Sequence, residues 1–165
     1  MAERIVNIEE ILDQMRLCWK ADLAAAETVK RLSRAQELFF SDAKIVMKQF
    51  NLNVGEFDAL ASLRLQGAPY EQTPSNICQA NLVSSGGLTK VLNNLEKNGL
   101  ISRRQCTDDQ RSRLVKLTEN GRKLIDEALE IVLARHEKQL REALSTDERE
   151  TLNKLLMKLN QASLR

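Results

Sequence analysis

The chain predicts a mainly α-helical fold: a winged helix–turn–helix with a two-stranded β-wing, flanked by N- and C-terminal helices that form a dimerisation region. Three observations carry that expectation. Between Ser85 and Lys97, Leu88, Leu92 and Leu95 recur at spacings of three and four, which puts them on one buried helix face. Just beyond, Gly99 stands at the C-cap, and residues 100–105 and 113–117 alternate as a hairpin does, with Thr107, Asp108 and Asp109 supplying turn chemistry. Elsewhere, six Gly and two Pro in 165 residues, with 4% aromatics and 29% charged residues, leave little besides helix for the rest of the chain.

In chain order, Ile8, Ile11, Leu12, Met15 and Trp19 mark a short amphipathic helix over residues 8–20. Asp22 is placed to cap a second helix reaching about Phe50, in which Leu32, Phe39 and Val46 repeat every seven residues with Leu38 and Ile45 beside them. About 28 residues at 1.5 Å each span roughly 40 Å, more than the radius of so small a domain, so this helix is expected to pack along another chain. Asn53 and Glu56 then form a capping box for a helix with Phe57, Leu60, Ala61 and Leu63 on its buried face and Gly67 at its end. Gly67-Ala68-Pro69-Tyr70 breaks the chain, and Thr73-Pro74 restarts it as N-cap and first-turn proline of a brief helix with Ile77 and Ala80 inside. Leu82 and Val83 anchor the turn and Ser84 caps the next helix.

After the hairpin, Thr118 caps a long helix to about Leu144, with Leu124, Ile125, Ala128, Leu129, Val132 and Leu140 inward. Ser145 or Thr146 caps the last helix, where Leu152, Leu155, Leu156 and Leu159 repeat at three and four. Neither end of the chain has enough intervening sequence to cover these stripes within one copy, so an isologous twofold homodimer is expected. The domain division follows: residues 1–50 and 118–165 as a helical dimerisation region, and residues 51–117 as the winged helix–turn–helix.

The charge pattern points to a partner. From Ser84 to Lys123 nine basic residues face four acidic ones, a local +5 in a chain whose net charge is +2. A concentrated excess of cations suits phosphates, whose neutralisation releases condensed counterions. The helix face opposite the leucines carries Ser85, Gly86, Thr89, Lys90, Asn93 and Lys97, small residues with donors and acceptors suited to a DNA major groove, and Arg113 extends the basic surface onto the wing. A helical adaptor that binds only protein would leave this cationic wing without a role.

Other classes find little support. Cys18, Cys78 and Cys106 are an odd number without paired spacing, so no disulfide framework is expected, and burial is the ordinary fate of such thiols. His136 is the single histidine and the cysteines are dispersed; no metal or other cofactor is expected, and His136 reads as a helix-surface or interface residue. No GxGxxG, P-loop, HExxH or GxSxG occurs, and the SSGG at Ser84 to Gly87 is explained as a helix start, so an enzyme is not expected. There is no apolar run of about 18 residues, and the opening MAERIVNIEE lacks an apolar signal core; a cytoplasmic protein with no membrane partner is expected.

Over about 110 residues, from Leu52 to Leu159, the chain resembles the MarR family of winged-helix transcriptional regulators. The resemblance rests on PSNICQANLVSSGGLTKVLNNLEKNGLI and DDQRSRLVKLTENGRKL, in particular Asp109-x-Arg111-Ser112 followed by Leu117-Thr118-x-x-Gly121-Arg122. It implies a homodimer on a pseudopalindromic double-stranded DNA operator, with a small ligand or an oxidant tuning DNA affinity. By the same resemblance Arg111 is the minor-groove arginine, Asp109 its orienting carboxylate, and Ser85, Thr89 and Lys90 are recognition-helix contacts; a guanidinium profits from the negative potential of a narrow minor groove.

A narrower likeness is to the urate-responsive branch of that family, which has an added N-terminal helix. The matching positions read Trp19, Asp58, Val91 and Arg103, where the branch has Trp, Asp, Arg and Arg. Val91 carries no charge, so the likeness implies a different aromatic acid or phenol as effector, with Trp19 as a stacking face, Arg103 as the cation, and Asp58 as an acceptor or a partner of Arg103. The competing expectation is an oxidant sensor on the same fold. Cys18 lies roughly where peroxide-sensing members keep a reactive cysteine, although Phe39 and Phe40 lack the hydroxyls of that branch's tyrosines.

Overall fold

The structure, a computed structural model, describes residues 7–20, 22–81, 85–105 and 113–162. Two compact units divide the chain, Met1–Ala43 and Lys44–Arg165. In the first, α1 (Ile8–Cys18) is capped by Asn7, whose side chain accepts from the Glu9 N–H at 3.1 Å. It stops two residues short of the expected end because Trp19 turns to extended backbone. The next helix, α2 (Ala24–Gln49), begins where the Asp22 carboxylate accepts from the Ala24 N–H at 3.0 Å and runs on into the second unit. Arg16 bonds Glu27 at 2.8 Å and Asp13 at 2.7 Å, while Arg31 joins Glu9 and Glu27 at 2.9 and 3.2 Å. These pairs are solvated, so each stabilises little alone, and together they set how α1 lies on α2.

The second unit holds the remaining elements: α3 (Val54–Leu65), β1 (Glu71–Gln72), α4 (Pro74–Asn81), α5 (Ser85–Lys97), β2 (Ile101–Gln105), β3 (Arg113–Leu117), α6 (Glu119–Ala143) and α7 (Thr146–Ala162). The capping box forms: Asn53 Oδ1 accepts from the Glu56 N–H at 3.0 Å, and Glu56 Oε2 from the Asn53 N–H at 2.9 Å. Phe57, Leu60 and Leu63 are buried as expected; Ala59 is buried too, while Ala61 is only partly so. Leu88, Leu92 and Leu95 bring α5 onto this core, which Ile77, Ile101, Val115, Leu117 and Ile125 complete. Thr73 accepts from the Asn76 N–H at 3.3 Å and so caps α4 ahead of Pro74.

The expected two-stranded wing forms from β2 and β3, and a third short strand, β1, pairs with β3 on its other side. The sheet order is β1–β3–β2, all antiparallel, with Glu71 opposite Lys116 and Gln72 opposite Val115. A strand of two residues between prolines 69 and 74 carries no readable alternation. A buried Gln72 holds it in place, donating to Ser62 O at 2.7 Å and to Ser62 Oγ at 3.2 Å on α3. Arg104 of β2 reaches across β3 to Glu71 with two bonds of 2.7 and 3.2 Å, which hold the Glu71 carboxyl below its ordinary value.

Where the sheet meets α6, Thr118 caps the helix by accepting from the Gly121 N–H at 3.0 Å and ties it to the wing root by donating to Gly99 O at 2.7 Å. Gly121 packs so closely on Leu100 that a Cβ there would overlap the Leu100 carbonyl. Arg64 of α3 bonds Asp126 of α6 and lies over the Tyr70 ring at 5.3 Å. The last helix, capped by Ser145, buries none of its residues, and Leu155 is 60% exposed.

Candidate nucleic-acid interface

Burial of Leu88, Leu92 and Leu95 decides which side of α5 is free. Thr89, Lys90 and Asn93 lie on the exposed side, within one turn of each other. Gly99, at φ 69°, ends the helix in a left-handed conformation that suits glycine, and the chain enters β2 two residues later. Recognition helix and wing are therefore joined by one short, fixed turn.

The cations are less uniform than their sequence count suggests. Arg104 is engaged by Glu71, Arg122 by Glu119 and Asp126, and Lys123 by Glu119. Arg103, whose side chain is only 19% exposed, donates from Nη2 to Asn93 Oδ1 at 2.8 Å, and its Nε lies 3.5 Å from Glu96 Oε2. That leaves Lys90, Lys97, Arg113 and Lys116 without an ion pair in this stretch, among the described residues. The Asn93–Glu96 clasp on Arg103 was not foreseen; its trace in the sequence is a polar pair three apart on one helix face.

Arg103 also borders a cavity of about 320 Å³ between α4, α5 and the wing. Pro74, Leu88 and Leu92 give it apolar walls, Thr89 and Cys78 line it, and Arg113 joins Arg103 at its charged side. On the other side of Arg103 a polar cleft of about 300 Å³ runs along Glu96, Arg104 and Arg113.

Of the other sequence-derived candidates, Ser84, Asp109 and Arg111 lie outside the described residues, as do Leu82, Val83, Cys106, Thr107 and Asp108. The backbone of Ser85 and Gly86 opens α5; their side chains also lie outside the description. Asp58 is half-buried on α3, and burial raises its carboxyl above the ordinary value. It does not hold Arg103, whose partners are Asn93 and Glu96, because those side chains stand directly beside β2 on α5. Trp19 is 58% exposed rather than packed in the core of one chain, and Cys18 beside it is exposed, contrary to the burial expected of a free thiol. Cys78 is partly buried.

A helix–turn–helix with an exposed polar recognition face and a basic wing defines a winged-helix DNA-binding regulator. The family described as transcriptional regulator SarA/Rot matches residues 42–128, and the chain belongs to that family, a MarR-like one. The HTH-type transcriptional regulator PecS of Dickeya dadantii (strain 3937) is 32% identical over 132 residues, 77% of each chain. Among solved structures, NadR in complex with 4-hydroxyphenylacetate is 26% identical, with a TM-score of 0.65 over 84% of this chain and 92% of that one. A MarR family protein from Bacillus stearothermophilus shares the fold at 21% identity, with a TM-score of 0.74 over 89% of this chain and 100% of that one.

Proposed function

We propose that the protein is a homodimeric repressor that binds a pseudopalindromic operator and releases it when a small aromatic acid or phenol binds. Thr89, Lys90 and Asn93 of α5 lie in the major groove, with Ser84, Ser85 and Gly86 at the helix start close to phosphates. Arg111, oriented by Asp109, enters the minor groove, and Arg113 meets the backbone. The terminal helices form the dimer; the uncovered Leu152, Leu155 and Leu159 of α7 support that placement.

The observation that carries the effector reading is the cavity beside α5. Apolar walls with two guanidiniums at one side suit the ring and the carboxylate or phenolate of one small ligand, and about 320 Å³ lies at the small end of ligand sites. The 4-hydroxyphenylacetate named with NadR, a protein 26% identical to this chain, is of that chemical class. A ligand that draws Arg103 away changes the contacts of the recognition helix, and by linkage DNA weakens the ligand by the same factor.

The test is a mobility-shift titration on selected duplexes with 4-hydroxyphenylacetate, salicylate and urate. At least one compound should release DNA, and Arg103→Ala should abolish release while still binding duplex. The exposure of Cys18 supports one rival, a cysteine-based oxidant sensor. Should peroxide release DNA in a Cys18-dependent manner while no aromatic acid or phenol acts, that rival replaces the ligand reading.

A further inference from the structure

We infer that Arg103 is a positioning residue for base readout: it fixes the amide of Asn93 so that the recognition helix presents a donor, not an acceptor, to the major groove. This rests on the reading above that α5 lies in that groove. The Asn93 side chain is exposed on the same face as Thr89 and Lys90, yet its Oδ1 already accepts from Arg103 Nη2 at 2.8 Å. A free asparagine binds adenine bidentately, Oδ1 accepting from N6 and Nδ2 donating to N7. With Oδ1 turned toward β2, Asn93 offers only the two Nδ2 hydrogens outward, which suits acceptors such as guanine O6 and N7.

Arg103 can hold this arrangement because it is itself held. Its side chain is largely enclosed, and its Nε, buried and with no hydrogen-bond partner among the described residues, is ion-paired with Glu96 Oε2 at 3.5 Å. Asn93 and Glu96 are three apart on α5, so one guanidinium on the wing grips one face of the recognition helix at two points. The same guanidinium borders the cavity, so an anion that recruits it there would also free the Asn93 amide. Base preference and effector response then depend on one side chain.

The experiment is selection of binding sites from a random duplex pool, performed with the wild-type protein, Asn93→Ala, Arg103→Ala, Arg103→Lys and the double variant Asn93→Ala/Arg103→Ala. Wild type should prefer guanine at one base pair of each half-site, and Asn93→Ala should lose that preference there by roughly 5- to 30-fold. Arg103→Ala should move preference at that same base pair toward adenine, because the released amide regains its acceptor. In the double variant the position should become indifferent, and Arg103→Lys, which keeps a donor in reach, should retain part of the guanine preference. Circular dichroism confirms that each variant is folded; if Arg103→Ala is not, Arg103→Lys against Asn93→Ala decides alone. The proposal is overturned if the folded Arg103 variants lower affinity equally for all sequences, or change preference at a base pair that Asn93→Ala leaves untouched. Failure of the wild-type protein to select any sequence would instead overturn the placement of α5 in the groove, and this inference with it.

Discussion

Replacing Gly121 by Ala tests how α6 is seated on the wing root. A Cβ at position 121 would overlap the Leu100 carbonyl oxygen, with the Leu100 carbonyl carbon 2.9 Å away. The obstacle is backbone, so no rotamer change relieves it; α6 or the wing root must shift. Overpacking of this kind costs about 1–3 kcal/mol. The shift also strains the bond from the Thr118 N–H to that same Leu100 oxygen, 3.1 Å long, and a hydrogen bond stabilises by about 0.5–1.5 kcal/mol. Against this, alanine is favoured over glycine in a helix by about 1 kcal/mol. The balance is a loss of about 0.5–3.5 kcal/mol, or roughly 1–14 °C in Tm for a chain of this size. Urea and thermal unfolding at one fixed protein concentration would measure it. An unchanged or raised midpoint for Gly121→Ala would refute the close approach, since only the helix-propensity gain would then remain.

Two further outcomes concern the C-terminal helices. Leu155→Asp with Leu156→Asp should abolish the proposed dimer, because an unpaired carboxylate buried at an interface costs several kcal/mol; sedimentation showing an intact dimer would contradict the use of α7 there. Glu137 of α6 accepts from Arg141 and, across to α7, from Arg149, and these bonds hold its carboxyl below the ordinary 4.5. Its contribution is therefore present above pH 4.5 and lost as pH falls through the lowered folded-state value. Glu137→Gln should unfold at lower urea than wild type at pH 7, and the gap should close toward pH 3; a gap that does not depend on pH would rule out the charge as its cause.

How far the sequence could be read depended on how local each signal was. The capping box at Asn53 and Glu56, the Thr118 cap, and the leucine stripe of Leu88, Leu92 and Leu95 are written within four residues or at a helical period, and each forms as expected. The third strand was hidden because Glu71 and Gln72 are too short for alternation and are held by Ser62 and β3, partners that only the fold brings near. The charge count over residues 84–123 overstated the free cations of that surface, since Glu71 and Asp126, outside the stretch, engage Arg104 and Arg122. The Arg103–Asn93 bond joins residues ten apart through a helix end and a turn, and the polar pair Asn93 and Glu96 does not by itself say which side chain it grips. The exposure of Cys18 and Trp19 ran against the burial usual for such side chains, since a helical period over residues 8–20 says nothing of what covers the end of α1.

The central claim is that α5 and the wing bind duplex DNA through phosphate contacts as well as base contacts, and the salt dependence of affinity tests it most directly. Four cations per protomer, Lys90, Lys97, Arg113 and Lys116, have no ion pair in this stretch among the described residues, so eight are available in a dimer. Were all of them to meet phosphates, log affinity would fall with log salt at a slope approaching about −7, at roughly 0.9 per contact. Arg113→Ala removes two cations from the proposed dimer and should flatten the slope by about two. A steep slope for wild type with that reduction in the variant is the predicted result. Affinity indifferent to salt, or a slope that Arg113→Ala leaves unchanged along with the affinity, would contradict the placement of the wing on DNA.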